Sequence, residues 1–169
     1  MKKYFLLILL ALVSCGGVPD DVKPVNDFKI EKYLGVWYEI ARFDHSFEKG
    51  LQRVTANYTL RPDGGVKVIN RGFLAEKSKW KESEGKAFFA DGDDKGYLKV
   101  SFFGPFYASY VIFYLDENYQ YSLVTGHNKS YFWILSRTPH IDDATRAMLV
   151  GKATALGFNM EKLIYVDQQ

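Results

Sequence analysis

The chain has 169 residues, enough for one domain whose core folds without covalent staples. Hydrophobic residues at 47% and charged residues at 25% exclude a disordered chain. The formal charge is +2, but removal of residues 1–14 would take Lys2 and Lys3 and no acid, leaving 20 basic and 20 acidic side chains; with no basic block and no RNP-like motif, the sequence offers nothing for a nucleic acid.

Lys2 and Lys3 form a basic n-region, and Tyr4 to Val13 form an apolar stretch of ten residues, too short to span a bilayer and suited to a secretory signal. Leu12-Val13-Ser14-Cys15 then has the form of a bacterial lipobox. In that motif the cysteine sulfur is alkylated by a diacylglycerol, because its thiolate is the strongest nucleophile the chain offers. The chain is cut before the cysteine and the new amino group is acylated. Several acyl chains on one residue anchor stably where one would not. The expected division is therefore a lipoprotein signal peptide over 1–14, an acylated Cys15 with a flexible tether to residue 27, and a folded domain over 28–169. Cys15 is the single cysteine, so no intramolecular disulfide forms.

From Val36 the pattern has period two. Strands are expected over Val36 to Phe43, Arg53 to Leu60, Val66 to Phe73, Ser83 to Ala90, Tyr97 to Phe103, Tyr107 to Leu115, Tyr119 to Thr125 and Tyr131 to Ser136. Pro62-Asp63-Gly64-Gly65, Asp91 to Gly96, Asp116-Glu117-Asn118 and Gly126-His127-Asn128 are turn signals between them. The period then changes. Asp142 or Asp143 caps a helix whose apolar stripe holds Ile141, Ala144, Met148, Leu149 and Leu156, with Gly157 as its stop. Lys162 to Val166 is a short last strand. About eight antiparallel strands on short hairpins close into an up-and-down barrel, which removes both sheet edges; the helix must pack outside.

Three motifs carry a family resemblance. Asn26-Asp27-Phe28 leads to Tyr33-Leu34-Gly35-Val36-Trp37-Tyr38; Gly126 to Tyr131 precedes the last barrel strand; and Ile134-Leu135-Ser136-Arg137-Thr138-Pro139 follows. In this order they resemble the lipocalins, over residues 26 to 167. Trp37-Tyr38-Glu39-Ile40-Ala41-Arg42 and Val100 to Phe106, with the lipobox, resemble the bacterial outer-membrane lipocalins related to apolipoprotein D. The resemblance implies an eight-stranded calyx, a lipid anchor in the outer membrane of a Gram-negative bacterium facing the periplasm, and storage or transport of fatty acids or lysophospholipids for membrane maintenance. Gly16, where inner-membrane lipoproteins tend to have Asp, fits that location. Gly35, Trp37 and Arg137 are then structural, with the Arg137 guanidinium over the Trp37 ring at the closed end.

With Trp37 facing in, alternation sets the lining. Glu39 and Ala41 share its row. Ala56, Tyr58, Val68, Asn70, Ala87, Phe89, Val100, Phe102, Tyr110, Ile112, Tyr114, Leu123, Tyr131, Trp133 and Leu135 are expected inside, on the condition that no bulge flips a strand. This apolar, aromatic lining suits an acyl chain; a filled barrel is the alternative. Glu39 is costly there unless it sits near the wet end, bonds a tyrosine hydroxyl or meets the cationic amine of a lysophospholipid. Asp44 to Leu51 is expected as a loop over the open end, with Phe47 and Leu51 closing on a ligand and Lys49 or Arg53 meeting an anionic head group. Phe103, Phe106 and Tyr107 are costly alone if exposed, which allows a homodimer.

No enzyme is expected. His45, His127 and His140 lie on separate loops without metal-ligand spacing, no G-x-S-x-G elbow or P-loop occurs, and an acylated Cys15 has no thiol to offer. Catalytic residues, metal and cofactor are each assigned as none. A structural lipoprotein with a filled barrel, or a lipid-modifying enzyme, is the alternative function.

Overall fold

Nine antiparallel strands form one sheet: β1 (Gly35–Phe43), β2 (Leu51–Leu60), β3 (Val66–Leu74), β4 (Lys79–Phe89), β5 (Tyr97–Phe103), β6 (Phe106–Leu115), β7 (Tyr121–Thr125), β8 (Phe132–Ser136) and β9 (Leu163–Tyr165). In this computed structural model, which describes residues 17–169, each strand from β1 to β7 pairs with the next, and β8 pairs back with β1 to close the ring. The barrel is the eight-stranded antiparallel one the turn pattern predicts, with β9 added outside on β1. Signal residues 1–14 and Cys15 lie outside the described residues.

A one-turn helix α1 (Ile30–Tyr33) leads into β1 and lies across one end. Hairpins β2–β3, β4–β5 and β6–β7 turn at that closed end. The loop 44–50 and the turns β3–β4, β5–β6 and β7–β8 form the open end. Helix α2 (Asp143–Ala155) packs outside, with Asp142 capping it by accepting from the Thr145 amide at 2.8 Å. Leu149 and Ala153 are its buried residues, packed with Ile40, Val111, Leu123, Phe132 and Ile134 of the sheet. Met148, placed in the stripe by spacing, is instead exposed, and Ala153 takes the contact.

Two bulges change which side chains face in. The β1–β8 register shifts between Glu39 and Ala41, so Ile40 and Ala41 both lie on the helix side and Arg42 turns inward opposite Trp133. The β6–β7 register shifts between Ile112 and Tyr114, which sends Tyr114 outward. Leu123 pairs with Ile134 and also packs outside, leaving Val124 on the lumen side. The bulges misplace Ala41 and Tyr114; Leu123 is misplaced for another reason. Under α2 the wall is apolar on both faces, so apolarity carries no phase there.

The segment expected as a free tether is partly docked. Val22 is 3% exposed in the outer core, Val25 is hydrogen-bonded to Ile112 and Gly96, and the Phe28 amide donates to the Asp94 carbonyl. Three valines and a phenylalanine in an otherwise polar run are enough to lay residues 18–28 along the barrel.

Candidate functional site

The closed end is an aromatic floor. The Trp37 indole donates to the Tyr33 carbonyl at 2.8 Å, and its ring lies 4.7 Å from that of Tyr33, which in turn packs on Phe28 and Tyr58. Arg137 covers the outside of this floor with its guanidinium 4.0 Å from the Trp37 ring centre. It donates to the carbonyls of Lys32 (2.8 Å), Val36 (2.9 Å) and Tyr119 (3.2 Å), so one side chain ties α1, β1 and the β6–β7 turn together. Gly35 has φ of +91°, a backbone that favours glycine.

Above the floor the polar tips find each other. The Tyr110 hydroxyl shares 2.8 Å hydrogen bonds with those of Tyr33 and Tyr58, which leaves a largely apolar surface above. Burial raises the Tyr33 phenol to about 12, so the cluster stays neutral. Ala56, Val68, Asn70, Phe89, Val100, Phe102, Tyr110, Ile112 and Trp133 all face the barrel interior. Val68 and Ile112 are packed shut in the lower wall. Ala56, Asn70, Phe89, Val100, Phe102, Tyr110 and Trp133 keep partial exposure while facing in, which makes the interior an accessible lumen. Gly85 has the Phe102 ring over it, where a Cβ would come within 2.8 Å.

Glu39 faces inward and is 4% exposed, but its carboxylate is not open to a ligand. It accepts from Arg42 Nη1 at 2.7 Å. Arg42 Nη2 also donates to the Glu48 carbonyl at 2.8 Å, and the Glu48 carboxylate accepts from the Trp133 indole at 3.1 Å. Burial, and then the charge of Glu48, raise the Glu39 carboxyl well above its ordinary range against the pull of Arg42; burial raises Glu48 as well. The sequence reading missed Arg42 and Glu48. A glutamate in an apolar row demands a partner, and an arginine three residues on was the available signal.

Glu48 belongs to the loop 44–50, which folds over the mouth. His45 stacks on Tyr131 with centroids 4.3 Å apart, and Phe47 stacks on His45 at 5.5 Å while remaining exposed. Lys49 is exposed on the same loop, and Leu51 packs over Gly72 inside the rim. Arg53, expected at the mouth, is instead on the outer wall, 4.1 Å from the Phe73 ring and 5.1 Å from that of Trp80. The reason is local: Arg53 has φ of +49° in a bulge of the β2–β3 pairing, and its amide donates to the Asp167 carbonyl. The basic and polar groups on the lumen row of this rim are those of β4, where Ser83 lies opposite Asn70 and Lys81 opposite Gly72. Asn70 Oδ1 is buried there with no protein hydrogen-bond partner.

The seam between β1 and β2 is incomplete. Their pairing runs only from Gly35–Tyr58 to Tyr38–Thr55. Beyond it the C-terminal residues fill the gap: Val166 donates to Ile40, and the Gln168 side-chain amide donates to the carbonyls of Glu39 (2.7 Å) and Val54 (3.0 Å). A groove of about 580 Å³, lined in part by Arg42, Lys49, Leu51, Ile164, Tyr165 and Asp167, lies between this tail and the loop 44–50.

A barrel of eight strands with an aromatic floor, an apolar lumen and a loop over the mouth defines a calyx built for one small hydrophobic ligand. The family model for a lipocalin-like domain matches residues 28–168, and the chain belongs to the lipocalins. It is 53% identical to Outer membrane lipoprotein Blc of Vibrio cholerae serotype O1 over 100% of both chains. It is 51% identical to the protein of the same name from Escherichia coli (strain K12), covering 93% of this chain and 90% of that one. Among solved structures, the cockroach allergen Per a 4 superimposes with a TM-score of 0.71 at 21% identity, covering 91% of this chain and 97% of that one, a likeness of fold.

Proposed function

We propose that this protein is a lipid-anchored carrier that holds one fatty acid or lysophospholipid in its calyx. Residues 1–14 are its signal peptide, Cys15 carries the anchor, and the outer membrane is its location, as the names of its Vibrio and Escherichia relatives support. The observation that carries the ligand class is the set of inward, partly exposed apolar side chains, Ala56, Phe89, Val100, Phe102 and Trp133. Each acyl methylene taken from water contributes about 0.8 kcal/mol. Since Glu39 is engaged by Arg42, head-group recognition falls to the polar row at the rim, Asn70, Ser83 and Lys81. Binding rather than turnover is the activity, because Glu39 is held by Arg42 and the Glu48 carboxylate by the Trp133 indole.

Native mass spectrometry of protein purified from membranes tests this reading. The expected result is a sub-kilodalton adduct released on extraction as fatty acid or lysophospholipid. Delipidated protein that shows no saturable, one-to-one uptake of a fluorescent acyl chain would overturn it and favour a filled barrel.

A further inference from the structure

Among the described residues, the Phe and Trp side chains that stand exposed gather at the open end: Phe47, Trp80, Phe103 at 80% and Phe106 at 79%. Phe103 and Phe106 pair across the tip of the β5–β6 hairpin, where none of the described residues covers them. The neighbouring β3–β4 hairpin carries Lys77, Lys79 and Lys81 around Trp80, and none of the three is in an ion pair among the described residues. Glu76 and Glu82 stand on the same hairpin, which leaves it one positive charge in excess, whereas two turns of the closed end are acidic, with Asp91, Asp93, Asp94, Asp116 and Glu117 against Lys95. Aromatic tips flanked by lysines suit the boundary between acyl chains and phosphates, and an anionic leaflet attracts the lysine end while repelling the other.

The N-terminal run leaves the barrel on the same side. Asp21 is paired with Lys129 of the β7–β8 turn, an open-end turn. From there six residues lead back to Cys15, a reach of about 20 Å at most.

We propose that the open end is a bilayer-docking face. Phe103 and Phe106 sink to the acyl boundary, Lys77, Lys79 and Lys81 meet lipid phosphates, and the mouth opens onto the leaflet that holds the anchor. A ligand then passes between leaflet and lumen without crossing bulk water. The orientation rests on the lipoprotein reading above, whereas the lipid affinity of the rim does not.

The test uses the full-chain protein purified from membranes and reconstituted in vesicles of phosphatidylethanolamine and phosphatidylglycerol. A nitroxide is placed by Phe106→Cys at the open end or by Glu117→Cys at the closed end; both positions are exposed. Docking predicts that collisions with oxygen relative to a water-soluble nickel complex are several-fold more frequent at 106 than at 117. Replacing Lys77, Lys79 and Lys81 with Glu lowers that ratio at 106 without changing the melting temperature. Equal ratios at the two sites overturn the proposal. So does dipolar broadening between labels at 106 on two copies, which would make this face a homodimer interface. An acylated Cys15 has no thiol, so a label taken up by the unsubstituted protein would sink the anchor reading alone; the ratio at 106 with added vesicles would still decide the docking.

Discussion

Glu39 and Arg42 form an ion pair in a wall where both are nearly inaccessible, and such a pair is held together by its geometry more than it holds the fold together. Arg42→Met strips the buried Glu39 carboxyl of its donor and is expected to cost about 1–3 kcal/mol in chemical denaturation. The raised Glu39 carboxyl also has a pH signature. The native protein keeps a proton that the unfolded chain releases near pH 4.5, so stability is greatest below that pH and declines as pH climbs above it towards the folded value. Thermal melts from pH 5 to 8 should therefore show a falling midpoint, and Glu39→Gln should flatten that slope in part, with Glu48 supplying the rest. An unchanged slope would assign the proton elsewhere. Arg137 acts on the other side of the floor. Arg137→Ala removes one cation–π contact and three charge-assisted bonds, an expected loss of roughly 2–3 kcal/mol. Acyl-chain affinity measured well below the new melting point should hold; lost binding with intact stability would contradict a structural role. The Trp37–Arg137 pair was legible because its motifs resemble a family. The Glu39–Arg42–Glu48–Trp133 network was not, because a bulge at Ile40 turns Arg42 into a row that alternation assigns to solvent.

The loop 44–50 is an element without regular structure of its own, yet Glu48 ties it to Trp133 and Arg42, and His45 to Tyr131. Its side chains are shared between the lid and the barrel wall, so loosening the loop should change how fast a ligand leaves more than how tightly the barrel folds. Glu48→Ala is expected to speed release of a fluorescent fatty acid in stopped-flow displacement, with the association rate less affected; identical release rates would remove the lid from the exchange step. Strands read well where one face meets water. β2, β3 and β5 follow the alternation of their sequence, and Tyr97–Phe103 is bounded as the pattern predicts. β4 starts four residues earlier than expected, at Lys79, since Lys79-Trp80-Lys81-Glu82 offers one aromatic among charged residues and no repeated apolar alternation to read. β7 starts later, at Tyr121, because the Asp116 carboxylate accepts from the amides of Asn118, Gln120 and Tyr121 and holds them in the turn. Under α2 the alternation failed outright, for the reason that cost Leu123 its place in the lining.

As a whole the molecule is a closed cylinder whose closure is uneven. Eight strands complete a ring, but β1 and β2 touch along only part of their length, and the last residues of the chain stitch the remainder. Deleting residues 166–169 should lower the melting temperature and speed amide exchange at 39–43 and 51–54 more than elsewhere; uniform exchange would mean the seam holds without the tail. The same stitching bears on when this protein can fold. The first strand is flanked by β8 and β9 and bridged to the second by Gln168, so its partners lie far along the chain from it. A barrel whose first strand is completed only by partners so distant in sequence has to close late, after the hairpins between them have formed.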